Sequence, residues 1–440
     1  MSASMNRRDF VAAAAAAGVT LSVGTSVKAA DKPAALGGKP VRTKPFPHWP
    51  VVNEADEKAV GNVLRSGKWF YDKGVVRFQD AWAKMNGARY CTATTSGTSA
   101  LYTSLAALGV GPGDEVILSP YTFVATLSVV MLHYALPIFV DSDIETFLMD
   151  PKKIEPAISD RTAAILPVHI GGSPCDMDSI LAVAKKHKLP VVEDACQAHL
   201  AQWKGRNVGS LGDTGCFSFQ VTKNLPSGEG GAILTSNEQL AANCHAFHNC
   251  GRKRPGVDLA YHGGLANNLR MTEFQANLLV AQMERIEQNA KIRTENADYL
   301  SAQLRQVPGI APARMYDGCT RNAYHLYMFR YDAKAFSGLS KSRFLSALSA
   351  EGIPASGGYS PLNKAPHIRD ALALRGYRRL FSKADLDRWE ERVQCPENDR
   401  LCQQAVWFTQ NLLLGGRDDM DQIAQAIRKI QAYSGELAKA

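Results

Sequence analysis

Between residues 90 and 220 the chain keeps returning to one alternation that few folds accommodate. Short apolar runs, VILSP (116–120), LPIFVD (136–141), AAILPVH (163–169), LPVVEDA (189–195) and GCFSFQ (215–220), are interleaved with helix-patterned segments such as TSALYTSLAALGV (98–110), VATLSVVMLHYA (124–135) and MDSILAVAKKHK (177–188). A strand that is apolar at successive positions must be covered on both faces. A helix between two strands returns the chain to start the next strand in the same direction. The pattern predicts an α/β fold on a mostly parallel sheet with crossover helices. At 440 residues the chain is too long for one core, so a second domain is expected. The large domain is placed at residues 59–306 and a smaller α+β domain at 307–440, with a strand in AYHLYMFRYD (323–332) and helices in SKSRFLSALSAEG (340–352) and DMDQIAQAIRKI (419–430). Residues 271–306 lack glycine and proline and predict one long helix leading into it. Residues 30–58, rich in Pro, Lys and Gly, read as an extended arm.

Charge and cysteine usage narrow the function. The formal charge is +8, spread along the chain with no run of five like charges, so it reads as a solvated surface rather than a nucleic-acid tail. Nine cysteines, an odd number with no C-x-x-C pair, suggest reduced thiols in a chain that folds in the cytoplasm. No Cys/His cluster has ligand spacing, and no metal is expected. Residues 1–29 pair Arg7 and Arg8 with an alanine-rich stretch ending in VKA (27–29). They resemble a twin-arginine export signal cleaved after Ala29, which would make the mature protein periplasmic or otherwise exported. The alternative is an N-terminal tail on a cytoplasmic protein. No other segment has the length and apolarity of a membrane span.

In a doubly wound sheet, ligands gather at the carboxyl ends of the strands, and four features fall there. Asp194 closes LPVVED, poised to meet a cation or to cap a helix. In TSGTSAL (95–101), Gly97 allows a tight turn whose following amides open a helix, a phosphate cradle or an ordinary N-cap by Ser96 or Thr98. Phe123 follows another strand end, where a ring stacks on a flat heterocycle or joins the core. Lys223 sits between an apolar run and the glycines 228, 230 and 231, with Ser218 before it. A buried lysine amine is a nucleophile for carbonyls, whereas most turn lysines merely face solvent. Together the four make the parts list for pyridoxal 5'-phosphate: a covalent anchor, a phosphate cradle, a stacking ring and a carboxylate for the pyridine nitrogen.

EDACQAHLA (193–201), GDTGCFSFQVTKNLPSGEGG (212–231) and NNLRMTEFQA (267–276) resemble the DegT/StrS family of sugar aminotransferases. SGTSAL, GPGDEVILSPYTFVAT, PVHIGGSPCDMD and YHLYMFRYD follow in the family's order, and the resemblance runs over roughly residues 45–435. SFQ, HNCGR, GGYSPLN and CPENDRLCQQAVWFTQNLLLG lean toward the branch that aminates keto-cyclitols with glutamine. The resemblance implies an aspartate-aminotransferase-like fold, with a seven-stranded type of sheet, working as a homodimer with shared active sites. It places Lys223 at the covalent anchor, Asp194 at the pyridinium and Gln197 near the ring oxygen. Ser218 with the amides of Gly97 and Thr98 falls at the phosphate, and Asn268 reaches the phosphate from the partner subunit. His169, His325 and Tyr359 are substrate-side candidates, with a satisfied core histidine as the alternative for His169. Ala266 stands where the family usually has glycine and Leu269 where an aromatic is common, which bears on local loop shape. The implied activity moves an amino group from glutamine or glutamate to a keto sugar or keto-cyclitol. The rivals are a dehydratase or elimination enzyme on the same cofactor, and a non-catalytic sensor built on the fold. Relatives that became dehydratases replace the lysine with histidine; this chain keeps it.

Overall fold

The apolar runs become strands of one sheet: β1 (Tyr90–Thr94), β2 (Glu115–Leu118), β3 (Leu136–Phe139), β4 (Thr162–Leu166), β5 (Val192–Asp194), β6 (Thr214–Ser218) and β7 (Gly231–Thr235). The computed structural model describes residues 32–261 and 264–440; the export signal expected at residues 1–29 lies outside them. A four-stranded part, β1-β7-β6-β5, and a three-stranded part, β3-β2-β4, meet through parallel bridges Ile165–Val191 and Val168–Asp194. The pairs β5–β6, β2–β3 and β2–β4 are parallel, as the crossover helices require. Only β7 runs against both neighbours, because residues 219–230 return the chain directly beside β6 without a crossover. Every residue of β2, β3, β6 and β7 is buried, which is why their sequences are nearly continuous in apolar or small residues.

The covering helices carry local start signals. α1 (Glu54–Ser66) begins with a capping box between Asn53 and Asp56. α2 (Lys73–Asn86), α3 (Gly97–Ala107), α4 (Val124–Leu132), α5 (Met177–His187) and α6 (Glu238–His248) follow. Ser96, Asp176 and Asn237 cap α3, α5 and α6 through their side chains.

The single helix expected over 271–306 is instead two, α7 (Glu273–Met283) and α8 (Ile286–Leu304). The break has a tertiary cause. Arg285 reaches the buried Asp56 carboxylate of α1 at 2.7 Å, and Gln282 donates to the same oxygen at 3.2 Å. Docking both side chains on α1 interrupts the helix with no glycine or proline to announce it.

A second apolar core, including Leu300, Phe329, Phe344, Val406 and Ile423, forms on the sheet β8 (Ile310–Pro312), β9 (Leu326–Tyr331) and β10 (Ala405–Thr409), ordered β8-β9-β10 and antiparallel. α8, α9 (Lys341–Ala350) and α10 (Arg417–Ala432) cover it. The N-terminal arm joins this body: Leu36, Val41 and Phe46 pack on its core. Residues 366–402 return to the first core instead. The Trp389 indole donates to the Pro137 carbonyl at 2.7 Å, and the Tyr377 hydroxyl donates to that of Ala135 at 3.0 Å. The two bodies meet over the carboxyl ends of β5 and β6.

Candidate active site

There the chain encloses a cavity of about 460 Å³. The tip of α3 forms one wall, closer to the sheet than any side chain at residue 97 would allow. A Cβ at Gly97 would lie 2.7 Å from Ser218 Cβ and 2.8 Å from Cys196 Sγ. The Ser96 hydroxyl accepts from the Ser99 amide at 3.1 Å. That leaves the Gly97 and Thr98 amides at the positive end of the helix, facing the cavity. The buried Ser218 hydroxyl joins them; it accepts from the Gln220 amide at 3.4 Å and keeps its own hydrogen to donate.

Asp194 lines the same cavity. No helix starts at it, so the helix-cap alternative falls away. One carboxylate oxygen accepts from the Thr126 hydroxyl at 2.8 Å and the other from the Cys196 amide at 3.1 Å. The Asp194 amide donates to Pro167 at 2.9 Å, tying the strand end to the neighbouring one. The carboxylate is thus buried and oriented by donors rather than by a neighbouring cation.

Lys223 stands in the turn between β6 and β7. Its amide donates to the Gln220 carbonyl at 2.8 Å, and the Gln220 side chain accepts from the Thr222 amide at 2.9 Å. Its carbonyl accepts from the Trp49 indole at 3.1 Å. Burial lowers its pKa below the ordinary lysine value, opposed by Cys196, Asp194 and Glu229. Among the described residues the amine has no ion pair, and Lys223 lines the cavity.

Gln197, His325 and Tyr359 complete the wall. The Gln197 carbonyl oxygen accepts from the Gly171 amide at 2.8 Å, while its amide nitrogen donates to the Tyr359 hydroxyl at 3.0 Å. Burial pushes Tyr359 up to about 12, keeping it a neutral hydroxyl. His325 Nδ1 lies 3.3 Å from Asn224 Oδ1, and Asn224 Nδ2 donates to Ala323 at 2.7 Å. The Asn224 oxygen is therefore the acceptor, and Nδ1 carries the imidazole proton. Burial, then the Lys223 charge, drives the His325 pKa far down, so it stays neutral. Phe123 is 57% exposed at the cavity mouth.

Two of the sequence candidates lie elsewhere. His169 is fully buried behind the wall, so the substrate-side role is corrected to the structural alternative. Its Nδ1 accepts from the Cys175 amide at 3.0 Å, and its Nε2 therefore donates to Glu193 at 3.0 Å. Glu193 in turn accepts the amides of Gly209, Leu211 and Gly212 at 2.6–2.7 Å. The ring braces the strand ends from behind. Asn268 is exposed and outside the cavity of its own chain.

The sequence left out Thr126, Glu229 and Trp49. Thr126 carried a weak signal, one helical turn beyond Phe123 at a strand-helix junction. Trp49 carried none, since nothing local links the arm to the lysine.

The donor set fits pyridoxal phosphate: helix-tip amides with a hydroxyl for a dianion, a buried carboxylate for a ring nitrogen, a ring at the mouth and a free amine in one cavity. Among the described residues no group of three or more His, Cys, Asp or Glu could hold a metal. No described helix is long and apolar enough to cross a membrane. All nine cysteines are free.

The sequence profile of the DegT/DnrJ/EryC1/StrS aminotransferase family matches residues 50–380. The chain is 36% identical over 421 residues to an L-glutamine:2-deoxy-scyllo-inosose aminotransferase of Streptoalloteichus tenebrarius, covering 91% of this chain and 97% of that one. Among solved structures, 3-amino-5-hydroxybenzoic acid synthase superposes with a TM-score of 0.79 at 29% identity, over 89% of this chain and 100% of the other. An aminotransferase from Psychrobacter cryohalolentis superposes with a TM-score of 0.77 at 30% identity, over 88% and 99%.

Proposed function

Because the chain belongs to the DegT/DnrJ/EryC1/StrS aminotransferase family, and is a pyridoxal-phosphate-dependent aminotransferase, we propose that it transfers the amino group of L-glutamine to a keto-cyclitol. The observation that carries the substrate choice is the near full-length similarity to an enzyme named for glutamine and a keto-cyclitol.

When bound, the cofactor supplies the carbon that takes up the donor's nitrogen and a ring that withdraws electrons. The protein does the rest. The α3 tip and Ser218 would hold the phosphate end, and Asp194, fixed by Thr126 and the Cys196 amide, would keep the pyridine nitrogen protonated. Lys223 anchors the cofactor. Once its amine is released, a lowered pKa leaves more of it neutral at physiological pH, ready to take the proton from the donor's Cα and return one during amination. Neutral His325 and Tyr359 offer hydrogen-bonding groups on the substrate side without adding charge. We place Asn268 of the partner subunit at the phosphate, as part of a homodimer. The supports are the family pattern around NNLRMTEFQA and the exposed position of Asn268 outside its own cavity.

The test is spectroscopic. Glutamine should bleach the visible band of the lysine-bound cofactor, and a keto-cyclitol should restore it faster than nucleotide-linked keto sugars. Restoration by the nucleotide sugars alone would move the acceptor to another branch of the family.

A further inference from the structure

Outside the lysine cavity lies a second one, of about 680 Å³, roofed by arm residues Lys44 to Trp49 and floored by Gln410 and Asn411. The two cavities share Thr222, His325 and Leu326, so the arm backs the wall that these residues form beside the reacting amine. The arm is firmly docked there. Glu351 accepts from the Ala34 and Val41 amides, each at 2.8 Å, and Asn411 donates to the Pro47 carbonyl at 2.9 Å. Trp49 sits at its end, and the two parts of its side chain have separate partners. The indole N–H donates to the Lys223 carbonyl at 3.1 Å. The ring lies 5.2 Å from the Arg293 guanidinium.

Arg293 is fully buried, and its one side-chain hydrogen-bond acceptor is the neutral Gln410 amide oxygen. Its remaining nitrogen has no partner. A buried guanidinium without a counter-anion is costly, and an indole face over it is a favourable cover. The Gln410 backbone N–H also donates to the His325 carbonyl at 3.1 Å. The arm, the turn carrying the lysine and the strand end carrying His325 are therefore joined through Trp49 and Arg293.

We propose that Trp49 is a positioning residue for Lys223, and that the docked N-terminal arm buttresses the active-site wall from behind. A lysine that must release a ligand and recapture it needs a mobile amine on a fixed base. The Lys223 amide is held within its own turn, and the arm holds the carbonyl.

The inference rests on Lys223 being the anchor, and borohydride reduction of the holoenzyme with peptide mapping tests that separately. A label on another residue would overturn the proposed site itself. With the label on Lys223, Trp49→Phe removes the N–H and keeps a ring over Arg293. It should lower kcat about tenfold, the weight of one hydrogen bond, with KM for glutamine within about twofold. The pH midpoint of the cofactor's visible band should move by about half a unit or more, and hydrogen exchange across residues 220–228 should quicken. Trp49→Ala should add a loss of thermal stability by uncovering Arg293. The proposal is overturned if Trp49→Phe keeps wild-type kcat, band midpoint and exchange. It is equally overturned if Trp49→Phe loses activity only in proportion to folded, cofactor-loaded protein.

Discussion

Lys223 sits in a buried turn whose backbone is held at both its amide and its carbonyl. Burial alone is the largest influence on its amine, and the nearby Cys196, Asp194 and Glu229 work in the opposite direction. Lys223→Ala should therefore abolish turnover while circular dichroism and melting stay near wild type; near wild-type transamination by the variant would remove the assignment. Asp194 differs, because its environment consists of donors, the Thr126 hydroxyl and the Cys196 amide. Asp194→Asn preserves shape but not charge. Cofactor should remain bound while kcat falls by about two to three orders of magnitude, the scale for losing one preorganised electrostatic group. An unchanged rate would reduce the carboxylate to a turn-former. These two residues were legible in the sequence because their signal is local, a polar group placed where an apolar run ends. Trp49 was not, since it matters only through a partner far along the chain, and Thr126 carried only the weak signal of its strand-helix junction. His169 misled for a related reason: a histidine at a strand end looks the same whether it faces a cavity or, as here, a buried glutamate behind it.

At the scale of elements, the decisive contact is the tip of α3 against β6. Gly97→Ala pushes a methyl into Ser218 and Cys196, so the helix must retreat. The cost should be about 1–3 kcal/mol of stability, with weaker cofactor binding as the amides leave the phosphate position; absorbance titration and thermal melts measure the two. A variant that binds cofactor like wild type would show that the tip can relax. Acid sensitivity also belongs to elements, since α6 carries His245 and His248 and the β5–β6 connection carries His199. Burial holds their pKa values near 4, 3 and 3 respectively, below the value of about 6.5 each has when unfolded. The folded state therefore binds fewer protons than the unfolded one, and stability is full above pH ~6.5 and falls as pH drops. Near pH 5.5 the three together contribute a slope of up to about 4 kcal/mol per pH unit. Urea unfolding at closely spaced pH values should show it, with His248→Gln lowering the slope by about 1 kcal/mol per pH unit; an unaltered slope in that variant would mean His248 is protonated in the native state. The sheet was readable because burial on both faces writes itself into consecutive residues. The division of α7 from α8 was not, because Arg285 is an ordinary helix former until Asp56 takes its side chain.

For the whole molecule, one chain builds a nearly complete site from two bodies and an arm, and the remaining question is what lies around it. If Asn268 of the partner subunit completes the phosphate site, hybrids of inactive Lys223→Ala and inactive Asn268→Ala chains should recover part of the activity, because one of the two sites regains both residues. Verified heterodimers that stay inactive would count against sharing. The second question is location. Arg7 and Arg8 precede an alanine-rich stretch of low hydrophobicity, which suits a route that carries folded cargo rather than unfolded chains. Folding first would have a reason, since cofactor binding can finish where the cofactor is made, and nine unpaired cysteines would otherwise meet an oxidising compartment unfolded. Cleavage after Ala29 would also spare the machinery: among the described residues, the arm's first hydrogen bond to the fold is the Ala34 amide on Glu351. The mature chain should therefore begin near Ala30, outside the cytoplasmic membrane, with its cysteines unpaired. Replacing Arg7 and Arg8 by lysine should trap active enzyme in the cytoplasm. Cell fractionation with N-terminal sequencing of the native protein decides the matter: Met1 or Ser2 intact on soluble cytoplasmic enzyme would end the export proposal, and would leave Lys223, Asp194 and the arm's role as they stand.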